Sequence, residues 1–258
     1  IKKITEWEQG CLKCTDAAQC QHSRAICEVL ADVDSHGRRR FVVGARPCDK
    51  VKKNIQISAA IDAFDHSLIP SKRRDNTFDN FRASGDARAK LLAAKGTAAE
   101  CVAHNCGLIL GGSVGCGKTH LAIATGLEML QGGHSIRFYL LPELLEELRT
   151  ERWNHESAML DDAKRCDWLI LDDAGTEKNS NGTTNWKDEL FFTVINYRYD
   201  HKLPVVITTN AVGKGGLQSA LQGGNGERIF SRLMEMTAQV WMTNVPDFRQ
   251  IKKRGAPE

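Results

Sequence analysis

The stretch GGSVGCGKTH, Gly111 to His120, limits what this chain can fold into more than any other. Within it Gly112, Ser113, Val114, Gly115, Cys116, Gly117, Lys118 and Thr119 match the phosphate-loop pattern G-x-x-x-x-G-K-[ST] in full. The apolar run LIL precedes the match and the helical pattern THLAIATGLEML follows it, which is the strand, loop and helix context that the pattern requires. Such a loop converges backbone N–H groups on phosphate oxygens, and the helix N-terminus adds partial positive charge. Lys118 is expected to neutralise the β- and γ-phosphates, and the Thr119 hydroxyl to ligate Mg²⁺. The dinucleotide pattern G-x-G-x-x-G is absent, which argues against NAD.

Four further apolar runs, in SIRFYLL, WLILDD, PVVITTN and AQVWMT, read as buried strands. The segments between them have helical spacing. Leu121, Ala124, Leu127 and Leu130 are expected to line one face of the first helix after the loop, and Leu190, Val194 and Tyr197 one face of a later helix. Strands alternating with helices imply a mostly parallel sheet with helices on both faces. WLILDDAG ends a buried strand in two carboxylates, so Asp172 is placed to hold a Mg²⁺ shell and Asp173 to orient or deprotonate a water. Glu177 is a second candidate for that task. PVVITTN ends in Thr208, Thr209 and Asn210, which by themselves read as an ordinary strand end. In NGERIFSRLMEM an apolar stripe of Ile229, Leu233 and Met236 lies beside Arg228 and Arg232 at i, i+4. These arginines suit either a finger reaching a neighbouring subunit's nucleotide or ordinary contacts with Glu227 and Glu235.

The net charge of +3 over 258 residues excludes an overwhelming basic field. The basic patches SKRR (Ser71 to Arg74) and IKKR (Ile251 to Arg254) read as solvated linker and tail. No apolar run approaches the roughly 18 residues that span a bilayer, so a soluble, cytoplasmic protein with no membrane partner is expected. Five of the nine cysteines lie in the first 48 residues, which points to a local device rather than a disulfide framework. Cys11 and Cys14 have the C-x2-C spacing of a zinc grip, and Cys20, His22, Cys27 and Cys48 compete for the remaining two positions. The expected organisation is a small zinc-binding domain over residues 1–53, a linker over 54–76 and an ATPase domain over 77–258.

In their order along the chain, NTFDNF, GSVGCGKTHLAIA, LILDDAGTEK, ELFFTVINYRYDHKLPVVITTN and GERIFSRL resemble the AAA+ helicase loaders of bacterial replication, the DnaC/DnaI type, with the transposon helper IstB as a near relative. The resemblance implies an α/β fold, an AAA+ P-loop domain with a central parallel five-stranded sheet. It also implies ATP with Mg²⁺ as ligands, a sensor residue at Asn210, an arginine finger at Arg232 with Arg228 beside it, and Phe78 and Phe81 near the adenine. His120 joins the loop residues and Asp172 in the nucleotide-binding set. The implied partners are a DnaB-type hexameric helicase, single-stranded DNA and further copies of the chain. The cysteine cluster resembles the DnaI branch, whose pattern assigns the structural Zn²⁺ to Cys11, Cys14, Cys27 and Cys48. One departure is Asp172-Asp173 where many relatives carry Asp-Glu, which fits a slow, switch-like ATPase. The alternatives are an IstB-like helper of transposition, a small-molecule kinase and a non-hydrolysing adaptor.

Overall fold

The computed structural model describes residues 25–33, 39–47, 62–83, 85–150, 158–174, 186–221 and 224–249. The chain divides into two compact units, Ile1–Asp62 and Ala63–Glu258. In the first, strands β1 (Ala25–Val33) and β2 (Arg39–Pro47) form an antiparallel pair with Cys27 opposite Ala45. Cys11, Cys14, Cys20, His22 and Cys48 lie outside the described residues, as does Glu177.

The second unit is built on five parallel strands in the order β4-β5-β6-β3-β7. These are β3 (Gly107–Gly112), β4 (Ile136–Leu140), β5 (Trp168–Ala174), β6 (Val205–Thr209) and β7 (Thr237–Met242). Each corresponds to one of the apolar runs read from the sequence. The helices are α1 (Arg88–His104), α2 (Lys118–Gln131), α3 (Leu141–Thr150), α4 (Ala158–Arg165), α5 (Trp186–Asp200), α6 (Gly213–Ala220) and α7 (Gly226–Met236).

Successive strand residues point to opposite faces, so a strand covered on both sides must be apolar throughout. Leu108 and Leu110 pack with α1 and α2 on one face, while Ile109 packs with α3, α5 and α7 on the other. Trp168 and Ile170 divide from Leu169 and Leu171 in the same way. Each such buried aliphatic contributes about 1.5–3 kcal/mol.

Two helix expectations need correction. Residues 121–127 of α2 are all buried, so a single stripe is too narrow a description; α2 packs against both the sheet and α1, which itself reaches the sheet at β7, and is covered on more than one side. In α5 the buried positions are Phe191, Val194, Ile195 and Arg198, with Leu190 and Tyr197 only half-buried. The inward face is turned because Arg198, wholly buried, donates to five backbone carbonyls beneath the sheet.

Candidate functional site

The nucleotide loop joins β3 to α2. Gly115 and Gly117 hold φ of 74° and 99°, a region that costs a side-chain-bearing residue dearly. A Cβ on Gly115 would enter the Asp247 carboxylate, and one on Gly117 would press on the Phe81 ring. The loop is braced from the chain's other end as well. Ser113 Oγ donates to Val245 O at 3.2 Å, and the Phe248 N–H donates to Gly115 O at 3.2 Å. Cys116 is wholly buried, so it can offer the site only its backbone.

Lys118 opens α2 and is 8% exposed. Its ammonium donates to Gly112 O (2.9 Å), Ser113 O (2.8 Å) and Asn210 Oδ1 (3.0 Å), which uses all three hydrogens. Burial lowers its pKa, against the opposing pull of Cys116 and the carboxylates Asp173 and Asp172. Asn210 donates its amide to Asp173 Oδ1 at 2.7 Å, so one side chain bridges the loop lysine and the second carboxylate.

The two carboxylates reach one cavity through a distortion of β5. Leu171 pairs with Ile207 and Ala174 with Thr209, so three steps along β5 match two along β6, which is a bulge. Asp173 sits at the bulge with φ 63°, and its N–H donates to Thr208 Oγ1 at 2.9 Å. A regular strand would send Asp172 and Asp173 to opposite faces. Here both line a single cavity of about 450 Å³ with Lys118, Thr119 and Asn210.

Asp172, 3% exposed, accepts at Oδ1 from Thr119 Oγ1 (2.8 Å) and Thr208 Oγ1 (2.6 Å). Its Oδ2 accepts from Arg73 Nη1 at 2.9 Å. A hydroxyl and a carboxylate are the hard oxygen donors that Mg²⁺ takes, and a cationic group already stands on the carboxylate, so these residues fit the ion. Among the described residues no group of three or more His, Cys, Asp or Glu could hold a metal ion, and the candidate zinc ligands Cys11, Cys14 and Cys48 are not among them.

The loop residues Val114, Gly115, Gly117 and Thr119 line the cavity, as does His120, whereas Gly112, Ser113 and Cys116 do not. His120 shares a hydrogen bond with Thr77 O at 2.8 Å and meets Phe81 edge-on, so it also ties the preceding segment to α2. Burial lowers its pKa. Neither Arg228 nor Arg232 reaches the cavity within the chain. Arg232 lies over Phe192 and Tyr199, 5.1 Å and 5.4 Å from their ring centres, with Nη1 on Arg228 O, while Arg228 is exposed.

The sequence does not mark Arg73, Asn76, Leu140 or Arg249 as residues of this cavity, and it leaves Thr208 undecided. Arg73 belongs to the SKRR patch read as solvated linker, and its ion pair with a buried carboxylate overturns that reading for this residue. Thr208 was indistinguishable from a strand terminus until β6 was seen beside β5. Arg249, from the far end of the chain, also lines the cavity.

Fold and site together define a P-loop nucleotide-binding domain of the AAA+ type. A family model of IstB-like ATP-binding proteins matches residues 62–222, and the chain belongs to that family. It is 28% identical to the replicative helicase loader DnaC of Buchnera aphidicola over 184 residues, 69% of this chain and 70% of that protein. An ATP-binding protein of insertion sequence IS21 from Pseudomonas aeruginosa is 34% identical, but over 104 residues, 40% of this chain and 37% of that one. Among solved structures, that of DnaI superposes with a TM-score of 0.58 at 26% identity, covering 70% of this chain and 94% of that one.

Proposed function

We propose that this protein is an ATPase that binds the hexameric replicative DNA helicase and uses ATP to place it on single-stranded DNA. The observation that carries the ATPase reading is the convergence of Lys118, Thr119, two carboxylates and Asn210 on one cavity. Lys118 exchanges its carbonyl partners for phosphate oxygens, Asp173 accepts the proton of the attacking water, and Asn210 holds Asp173 and that water in register. Thr119 and Asp172 would hold Mg²⁺, which would supply neutralisation of charge on the β- and γ-phosphates. With two aspartates at the strand end, turnover is slow and switch-like.

The loader reading rests on likeness to replicative helicase loaders over more than two thirds of the chain. The second reading, a helper of transposition, draws on the family's name and the shorter IS21 match. In our reading residues 1–53 form the helicase-docking domain, closed by a zinc on Cys11, Cys14, Cys27 and Cys48, residues 54–76 the linker and 77–258 the ATPase domain. Capture with a DnaB-type hexamer in ATP, ADP and no nucleotide tests both partner and metal. The full chain should co-elute with the helicase and carry about one zinc, and Cys11→Ser should lose zinc and helicase together. Absence of a complex in every nucleotide state, with capture of a transposase instead, would sink the loader reading.

The trans-acting arginine is better assigned to Arg228 than to Arg232, because Arg232 is committed to aromatic rings of its own subunit. Arg228→Ala should keep ATP affinity and lose roughly 100-fold in turnover by the assembled protein. Undiminished turnover would remove Arg228 from the mechanism.

A further inference from the structure

The segment between Ser67 and Phe81 is fastened to the rest of its unit at four points, three of them at residues that line the cavity. Ser67 O accepts from the Phe138 N–H on edge strand β4 at 2.8 Å, Arg73 pairs with Asp172, Thr77 O meets His120, and Phe81 covers Gly117. Of these contacts only that of Arg73 is made to the group that would hold a divalent cation. The Asp172 side chain is 4% exposed and that of Arg73 is 36% exposed, so a partly exposed guanidinium neutralises a carboxylate that has almost no water. A buried carboxylate needs such a partner when no metal stands beside it.

We propose that Arg73 is a displaceable counter-ion of Asp172, a positioning residue that holds the cation place closed and leaves it when a nucleotide–Mg²⁺ complex binds. The inference rests on the ATP-site reading given above. The two cations compete for one carboxylate whose Oδ1 already serves Thr119 and Thr208, which leaves Oδ2 as the contested atom. Two positive centres on that oxygen repel, so binding the complex expels Arg73.

The departure is felt beyond the site because of how the residue is mounted. Arg73 ends the short turn Ser71–Arg73 that Pro70 opens, with its N–H on Pro70 O at 2.8 Å. The next residue, Arg74, is pinned to Ile69 O at 3.2 Å, to Asp65 at 3.2 Å and over the Phe64 ring at 4.7 Å. Occupancy of the site therefore acts on residues 64–74, the opening stretch of the second unit. Arg73 is thus the connection through which the opening stretch of the second unit is coupled to nucleotide state.

Magnesium titrations of fluorescent-ATP binding to the full chain test this. Arg73→Gln should lower the Mg²⁺ concentration for half-maximal binding by roughly tenfold, the worth of a charge-assisted bond to a desolvated carboxylate, and Arg73→Lys should stay within about threefold of the unaltered protein. With Mg²⁺ alone and no nucleotide, the ion should raise the melting temperature of Arg73→Gln more than that of the unaltered protein. An unchanged or raised Mg²⁺ midpoint in a protein that still binds ATP would overturn the inference while leaving the ATP site intact, and so would equal Mg²⁺-induced shifts in the two melts. An unaltered protein that binds no ATP at any Mg²⁺ concentration would instead remove the ATP-site reading, and the inference with it.

Discussion

Lys118→Ala is expected to abolish ATP turnover, with a loss of at least about 100-fold, and to weaken ATP binding markedly. The site contains two carboxylates, Asp172 and Asp173, facing the place where a triphosphate must enter. Lys118 is the buried cation on the loop, and without it the lining falls from net positive to two arginines balanced by two aspartates, Arg73 being itself tied up by Asp172. The same substitution leaves Gly112 O, Ser113 O and Asn210 Oδ1 without their donor. It therefore removes the phosphate ligand and loosens the bridge to Asp173 in a single step. Asp173→Ala should separate these effects, because it keeps Lys118 and loses the proposed proton acceptor together with its Asn210 hydrogen bond. Steady-state hydrolysis together with ATP binding checks both variants, and a melting curve distinguishes a damaged site from a lost fold. Turnover by Lys118→Ala within threefold of the unaltered protein would exclude an ATPase of this design.

The second large effect is on stability. Arg198→Met should cost about 3–5 kcal/mol, because a fully buried guanidinium is serving carbonyls that have few other partners. Its Nη1 donates to Ala163 O (3.1 Å), Lys164 O (3.2 Å) and Cys166 O (2.9 Å), and its Nη2 to Asp167 O (3.0 Å) and Pro204 O (2.6 Å). The first two belong to the last turn of α4, whose final carbonyls have no acceptor role within the helix and carry its negative dipole end. The others flank the starts of β5 and β6, so one side chain fastens the lower ends of the two strands whose upper ends carry Asp172, Thr208 and Asn210. Methionine fills a similar length but donates nothing, and lysine cannot reproduce the planar fork. Urea unfolding of Arg198→Met and Arg198→Lys measures the cost, with lysine expected to recover only part of it. A loss below about 1 kcal/mol for methionine would show that the carbonyls find other donors.

Much of the architecture was legible because it depends on local pattern. Apolar runs covered on both faces gave the five strands, and the phosphate-loop spacing gave β3, the turn and α2 in order. Helix faces were less legible. In α5 the eye follows Leu190, Val194 and Tyr197, but the inward stripe includes Arg198, a residue that hydrophobic periodicity counts as polar. Its burial is explained only by carbonyls that other segments bring to it.

The site divides along the same line. By itself the sequence determined that phosphates can be bound, since Gly115, Gly117, Lys118 and Thr119 are set by backbone conformation and near neighbours. It also named Asp172 and Asp173 from a strand end, and Asn210 through the family resemblance. Only the tertiary structure decided that both carboxylates enter one cavity, because that depends on the bulge that β5 makes against β6. Only the fold, too, brought Arg73 onto Asp172 and Thr208 beneath it. Spacing along a chain encodes which way neighbouring side chains point, whereas a buried charge draws its partner from whatever segment the packed sheet leaves within hydrogen-bond reach.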